Sequence, residues 1–188
     1  PSAGKSAFVG TLAMKLQLTL PVLLYSTELP REEVFVRFAA HVMGFPWREG
    51  LKGKVSREDM VAAVKGLRIK IIGSDNIDRA NPLGQLSHAI EEIKATFGVA
   101  PVVIVDYVQM LTRGSDDVRS AVGEITMGLR IISQVYDCVV LAVFSTGRAF
   151  YGDSAKVLTL REGNDPTAYL AAAKRAGALR PGGGGRGA

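Results

Sequence analysis

The sequence predicts an α/β domain built on a mostly parallel sheet with helices on both faces. Three observations carry that expectation. Short, almost uninterrupted apolar runs recur at Pro21–Ser26, Val102–Asp106 and Cys138–Phe144, too uniformly apolar to leave one face in water. Segments with apolar residues at helical spacing stand between them. The length, 188 residues with 47% hydrophobic and 22% charged, suits one domain with a substantial core and is short for two.

In chain order, Gly4 to Leu18 follows a glycine-containing turn and places Ala7, Phe8, Thr11, Leu12, Lys15 and Leu16 in a helical rhythm. Pro21–Ser26 reads as a buried strand. Arg31 to Met43 reads as a helix through Val34, Phe35, Phe38, Ala39 and Val42, stopped by Gly44 and Pro46. Ser56 is an N-cap residue with Glu58 and Asp59 in the first turn, starting a helix to about Gly66. Ile69–Ile72 is a strand, and 74–82, rich in Asp, Asn and Pro, is a loop. Leu83 to Phe97 is a helix with Leu86, Ile90 and Ile93 on one face, ended by Gly98. Val102–Asp106 is a strand closing on an acid. A polar loop at 112–117 leads into a long helix, Val118 to Tyr136, and Cys138–Phe144 is the next strand. Beyond it, Tyr151 to Pro166 reads as loop with one extended piece at Val157–Leu160, and Ala168–Ala173 favours helix. The expected domain is therefore 1–173, incomplete at its N-terminus. Residues 174–188, with four consecutive glycines at 182–185, form a Gly/Arg-rich tail expected to be disordered.

Composition excludes several functions. Lys and Arg number 23 and Asp and Glu 18, a net charge of +5. The tail holds Lys174, Arg175, Arg180 and Arg186 and no acid, so the body carries only about +1. A broad basic face for nucleic acid is not implied. No apolar run reaches the length of a membrane span, and the first residues lack the charged and apolar regions of a secretory leader. Cys138, the one cysteine, cannot form an internal disulfide and fits a reducing cytoplasm. With only His41 and His88 beside it, a zinc cluster is not expected. Trp47 with Phe45 reads as a loop anchored on the core, and His41 as a structural residue.

Three motifs carry chemistry. Pro1-Ser2-Ala3-Gly4-Lys5-Ser6 supplies the second half of a phosphate-binding loop, with a helix after it as the mechanism requires. Backbone amides from Ser2 to Ala7 would cradle phosphates, Lys5 would neutralise them, and Ser6 would hold Mg²⁺; the start of the motif would precede Pro1. Asp106 ends a buried apolar strand, where a carboxylate can hold the same metal. Alone it would equally be an ordinary strand-ending acid. Glu28 lies just past a strand and would orient an attacking water; the alternative, an acid serving the next helix dipole, is already filled by Glu32 and Glu33.

The block Ser26-Thr27-Glu28-Leu29-Pro30-Arg31-Glu32-Glu33-Val34-Phe35-Val36-Arg37-Phe38 resembles the second motif of bacterial replicative (DnaB-type) helicases, where such a turn carries the catalytic Glu and an Arg follows in the next helix. Val105-Asp106-Tyr107-Val108-Gln109-Met110-Leu111 is similar to that family's Asp-Tyr-Leu-Gln-Leu stretch, and Pro1 to Ser6 resembles its Pro-Ser-Met-Gly-Lys-Thr. The resemblance covers about residues 1–150. It implies a RecA-like P-loop NTPase fold, ATP and Mg²⁺ as cofactors, and Glu28, Lys5 and Gln109 as catalytic residues, with Gln109 coupling phosphate state to a DNA loop. It further implies a hexameric ring on single-stranded DNA, with primase and a helicase loader as partners. Candidate DNA contacts are Arg113 and Arg119 after the Asp106 strand, and Arg148 and Lys156 after the 138–144 strand; each is equally a solvated surface cation.

The chain departs from the family pattern at Ser145-Thr146-Gly147-Arg148, which replaces Ser-Gln-Leu-Asn-Arg and leaves Ser145 or Thr146 for the phosphate-sensing glutamine. Residues 174–188 show none of the further strands or the arginine finger that the family pattern places there, so a truncated, frame-shifted or poorly predicted end is expected. Two rival readings remain: a RecA- or clock-type ATPase that does not unwind duplexes, and a nucleotide-binding fragment without turnover.

Overall fold

The computed structural model describes residues 4–108, 111 and 118–144, with the side chains of 118 and 119 excepted. Among the described residues, six helices and four strands follow in the order α1 (Lys5–Leu16), β1 (Val22–Ser26), α2 (Arg31–Met43), α3 (Trp47–Leu51), α4 (Arg57–Val64), β2 (Ile69–Ile72), α5 (Pro82–Phe97), β3 (Val102–Asp106), α6 (Val118–Tyr136) and β4 (Val140–Val143).

The four strands form one sheet in the order β2-β1-β3-β4, all neighbours parallel. Alternation along the central strands decides which helices cover which face. Leu23 and Tyr25 of β1 and Val103 and Val105 of β3 pack with Leu86, Ile90 and Ile93 of α5 and Leu129 and Ile132 of α6. Val22 and Leu24, with Val102 and Ile104, pack on the other face against Val9 and Ala13 of α1 and Val34 and Phe38 of α2. A smaller cluster joins α2 to α4 through Val36, Ala39 and Met60. The expected parallel sheet with two covered faces is thus present.

Uniform apolarity overstated burial at the margins. Every residue of β1 and β3 is buried, but β4 is half-buried throughout and β2 is buried only at Ile72. Both lie at the sheet edges of the described region, where one flank lacks a neighbouring strand. Cys138 does not begin a strand. Asp137 takes a left-handed turn (φ 50°), Ser133 donates to the Cys138 carbonyl at 2.7 Å, and pairing starts at Val140. The stretch around Trp47 is a short helix rather than a loop, with the indole flanked by the guanidiniums of Arg37 and Arg48. Gly44 and Gly98 end α2 and α5 in left-handed conformations, as expected of helix C-termini.

The connectivity creates a crevice. From β1 the chain moves outward to β2, then returns across β1 to β3 and continues to β4. The connections leaving β1 and β3 therefore diverge, and the gap between their carboxyl ends is the place where an open parallel sheet binds ligands.

Candidate nucleotide site

Ser26 and Asp106 stand directly opposite each other in the β1–β3 register, at the carboxyl ends of the two strands flanking that crevice. Thr27 fastens them together. Its amide donates to the Asp106 carbonyl at 2.7 Å, and its hydroxyl donates to the Tyr107 carbonyl at 2.8 Å and accepts from the Tyr107 amide at 2.9 Å. Asp106 is only 3% exposed, and its Oδ1 has no hydrogen-bond partner among the described residues.

The amino end of α1 approaches the same carboxylate. Gly4 is the N-cap at φ 86°, a left-handed conformation that favours glycine, and it offers no side chain to the first-turn amides. No acid lies in that turn. Instead the Ser6 hydroxyl and the Lys5 ammonium are both near enough to Asp106 to act on it. Burial pushes the Asp106 carboxyl above its ordinary range, while the Ser6 hydroxyl and the Lys5 ammonium pull it back. The Lys5 ammonium lies over the Tyr107 ring, 5.2 Å from its centroid.

This donor set fits a metal–polyphosphate ligand. A buried carboxylate oxygen without a partner costs about 1–3 kcal/mol or more, and a cation would remove that cost. An uncapped helix start with a lysine in its first turn is an anion site by dipole and by charge. Asp106 and Ser6 would hold the metal, and Lys5 with the α1 amides would hold the phosphates. A cleft of about 230 Å³ opens beside them between α1 and α2, reached by Ser6, Ala7, Ser26, Leu29, Arg37 and Asp106.

Of the residues singled out from sequence, Lys5, Ser6 and Asp106 come together, with Gly4 and Ala7 in the same turn of chain. Glu28 is placed two residues beyond Ser26, at the same end of the sheet, but its side chain is exposed and pairs with no other described residue. Ser2, Ala3, Gln109, Arg113, Arg148 and Lys156 lie outside the described residues, as does the side chain of Arg119 at the start of α6. The tail at 174–188 also lies outside them. Sequence reasoning assigned no role to Thr27 or Tyr107. A hydroxyl residue immediately past a buried strand was the available sign of the first.

The family model described as "DnaB-like helicase C terminal domain" matches residues 1–157. The replicative DNA helicase DnaB of Synechocystis sp. is 27% identical over 157 residues, covering 79% of this chain and 18% of that protein. Among solved structures, one described as an ATPase domain superposes with a TM-score of 0.66 at 18% identity, covering 92% of this chain and 63% of the other. That likeness establishes the fold as RecA-like. The chain spans under a fifth of the curated relative and under two thirds of the solved domain.

Proposed function

The chain belongs to the family of DnaB-like helicase C-terminal domains, and from that premise we propose that it is the ATP-binding and ATP-hydrolysing core of a replicative-type DNA helicase. The observation that carries this reading is the meeting of Lys5, Ser6 and a buried, under-satisfied Asp106 at the sheet's switch point.

In this reading Lys5 and the first amides of α1 bind the phosphates, and Ser6 and Asp106 hold Mg²⁺, which supplies charge neutralisation for phosphoryl transfer. Glu28 accepts a hydrogen bond from the attacking water and orients it. Thr27 keeps the Glu28 turn and the Asp106 strand end at a fixed separation. Gln109 relays phosphate state to the loop after β3, where Arg113 and Arg119, with Arg148 and Lys156 after β4, contact single-stranded DNA through its backbone. The assembly is a hexameric ring that translocates on single-stranded DNA in the cytoplasm, engaging primase and a loader. Residues 1–173 form the ATPase domain and 174–188 a tail without a core of its own. Among the described residues no helix is long and apolar enough to cross a membrane.

The test is equilibrium binding of Mg²⁺-ATP and DNA-stimulated hydrolysis by the full chain, beside Lys5→Ala and Glu28→Gln. Loss of binding in the first and of turnover in the second is expected. Equal binding and turnover in all three would sink the reading. The same assay separates one other outcome, nucleotide binding without hydrolysis.

A further inference from the structure

The turn from Ser26 to Pro30 carries Glu28 out of β1 and into α2. Because the Glu28 side chain pairs with no described residue, its position depends on how that backbone is held. Part of the restraint is local, since the Leu29 amide donates to Ser26 Oγ at 3.3 Å. The rest comes from the segment that follows β2. The Ser74 amide donates to the Leu29 carbonyl at 2.9 Å, and the Arg31 amide donates to Asp75 Oδ1 at 2.8 Å.

The second bond supplies what α2 lacks. Its N-cap is Pro30, which has no side-chain acceptor, so the first amide of the helix would otherwise face only water. Asp75, 44 residues later, places a carboxylate at that terminus, favourable both as a hydrogen-bond acceptor and toward the helix dipole. Gly73 permits the approach. A Cβ there would lie 2.0 Å from the Arg31 nitrogen and 2.6 Å from Asp75 Oδ1, contacts that no backbone could accommodate without moving the start of α2.

The strut is itself anchored. Gln85 on α5 donates from Nε2 to the Asn76 carbonyl at 2.7 Å, and its Oε1 accepts from the Asp78 amide and from the hydroxyl of Tyr25, each at 2.9 Å. Tyr25 is fully buried in β1, one residue before Ser26. The 73–78 segment is thus tied to the core strand below the turn and to the turn itself.

We propose that Gly73 and Asp75 are positioning residues for Glu28, forming with Gln85 a strut that sets where its carboxylate stands relative to Asp106. The inference rests on the reading of Glu28 as the water-orienting group. It assigns the post-β2 segment a part in turnover but none in nucleotide binding.

The experiment compares the full chain with Asp75→Ala, Asp75→Asn, Gly73→Ala and Glu28→Gln, measuring Mg²⁺-ATP affinity, DNA-stimulated kcat and KM, and amide hydrogen exchange at Leu29 and Arg31. Asp75→Ala is expected to lower kcat about tenfold, as a small misplacement of a reacting group does. KM and affinity should stay within about twofold, and the Arg31 amide should exchange faster. Asp75→Asn keeps an acceptor oxygen and is expected to recover most of kcat; Gly73→Ala, if it folds, should match Asp75→Ala or exceed it. Unchanged kcat in Asp75→Ala, or affinity falling in step with kcat, overturns the strut while leaving Glu28 intact. A chain that binds ATP without hydrolysing it, or Glu28→Gln at full turnover, overturns the reading of Glu28 and this role with it.

Discussion

Two helix starts in this molecule solve the same problem in opposite ways. At α4, Ser56 accepts from the Asp59 amide, and Glu58 and Asp59 stand in the first turn. The Glu58 carboxyl is held below its ordinary range by its own backbone amide and by Ser56. At α1 the cap is a glycine without a side chain, the first turn has no acid, and it holds a lysine. Measured by the rules for an isolated helix, α4 begins well and α1 begins badly. This uncapped start brings Ser6 and Lys5 beside a buried aspartate with an unpartnered oxygen. Under the proposed function, the poor start is the opening for an anion and its metal.

The largest effect should come from removing the first-turn cation of α1, which stands beside Asp106. Lys5→Ala deletes a charge-assisted contact worth about 1.5–3 kcal/mol, so Mg²⁺-ATP affinity should fall roughly 10- to 150-fold by titration calorimetry. Arg57→Ala, the corresponding first-turn cation of α4, should leave it unchanged; it would lose a surface pairing with Glu32 and a contact over the Phe35 ring. Equal affinities for Lys5→Ala and the parent would erase the distinction between the two termini.

A sharper form of the comparison transplants the chemistry of α4 into α1. Ala7 is exposed in the first turn, so Ala7→Glu adds a favourable acid to the helix without disturbing packing. The melting temperature should rise slightly while nucleotide affinity falls about fivefold, because the new carboxylate repels phosphate. A gain in both would mean that the terminus does not receive an anion. The converse change, Ser56→Ala, removes the cap of α4 at a cost of about 1 kcal/mol, or roughly 2–4 °C in Tm, with affinity unaltered.

The same contrast explains how far the sequence was legible. Apolar runs and helix punctuation sufficed for the order of elements and the two-faced sheet, because β1 and β3 are buried on both sides and their composition reports it. Lys5, Ser6 and Asp106 could be named because a phosphate loop and a strand-ending acid are local patterns with a mechanism. What escaped was non-local. The edge positions of β2 and β4 depend on strand order, which a run of valines does not encode. Thr27, Asp75 and Gln85 act through bonds spanning 80, 44 and 60 residues to Tyr107, Arg31 and Tyr25, and no spacing rule links such partners.

The smallest expected effect concerns the aspartate on which the α1 start converges. Its folded-state carboxyl is raised by burial above the ordinary Asp value near 3.8, with Ser6 and Lys5 offsetting part of that rise. A group raised on folding favours the folded state fully only below the unfolded value, and that contribution is lost as pH climbs through the folded one. At neutral pH, without ligand, Asp106 therefore subtracts from stability. Asp106→Asn keeps a carbonyl oxygen for the Ser6 hydroxyl and removes the charge, so it should melt higher than the parent by roughly a degree or two at about pH 7. The two proteins should converge as the pH falls through the raised folded value and below the ordinary Asp value, where the parent carboxyl is protonated in both states. Adding Mg²⁺-ATP at neutral pH should invert the order, since only the parent presents an anionic ligand to the metal. A parent that is already the more stable protein at neutral pH without nucleotide would mean that the buried Oδ1 is satisfied within the chain, and the α1 start would then have no reason to be left open.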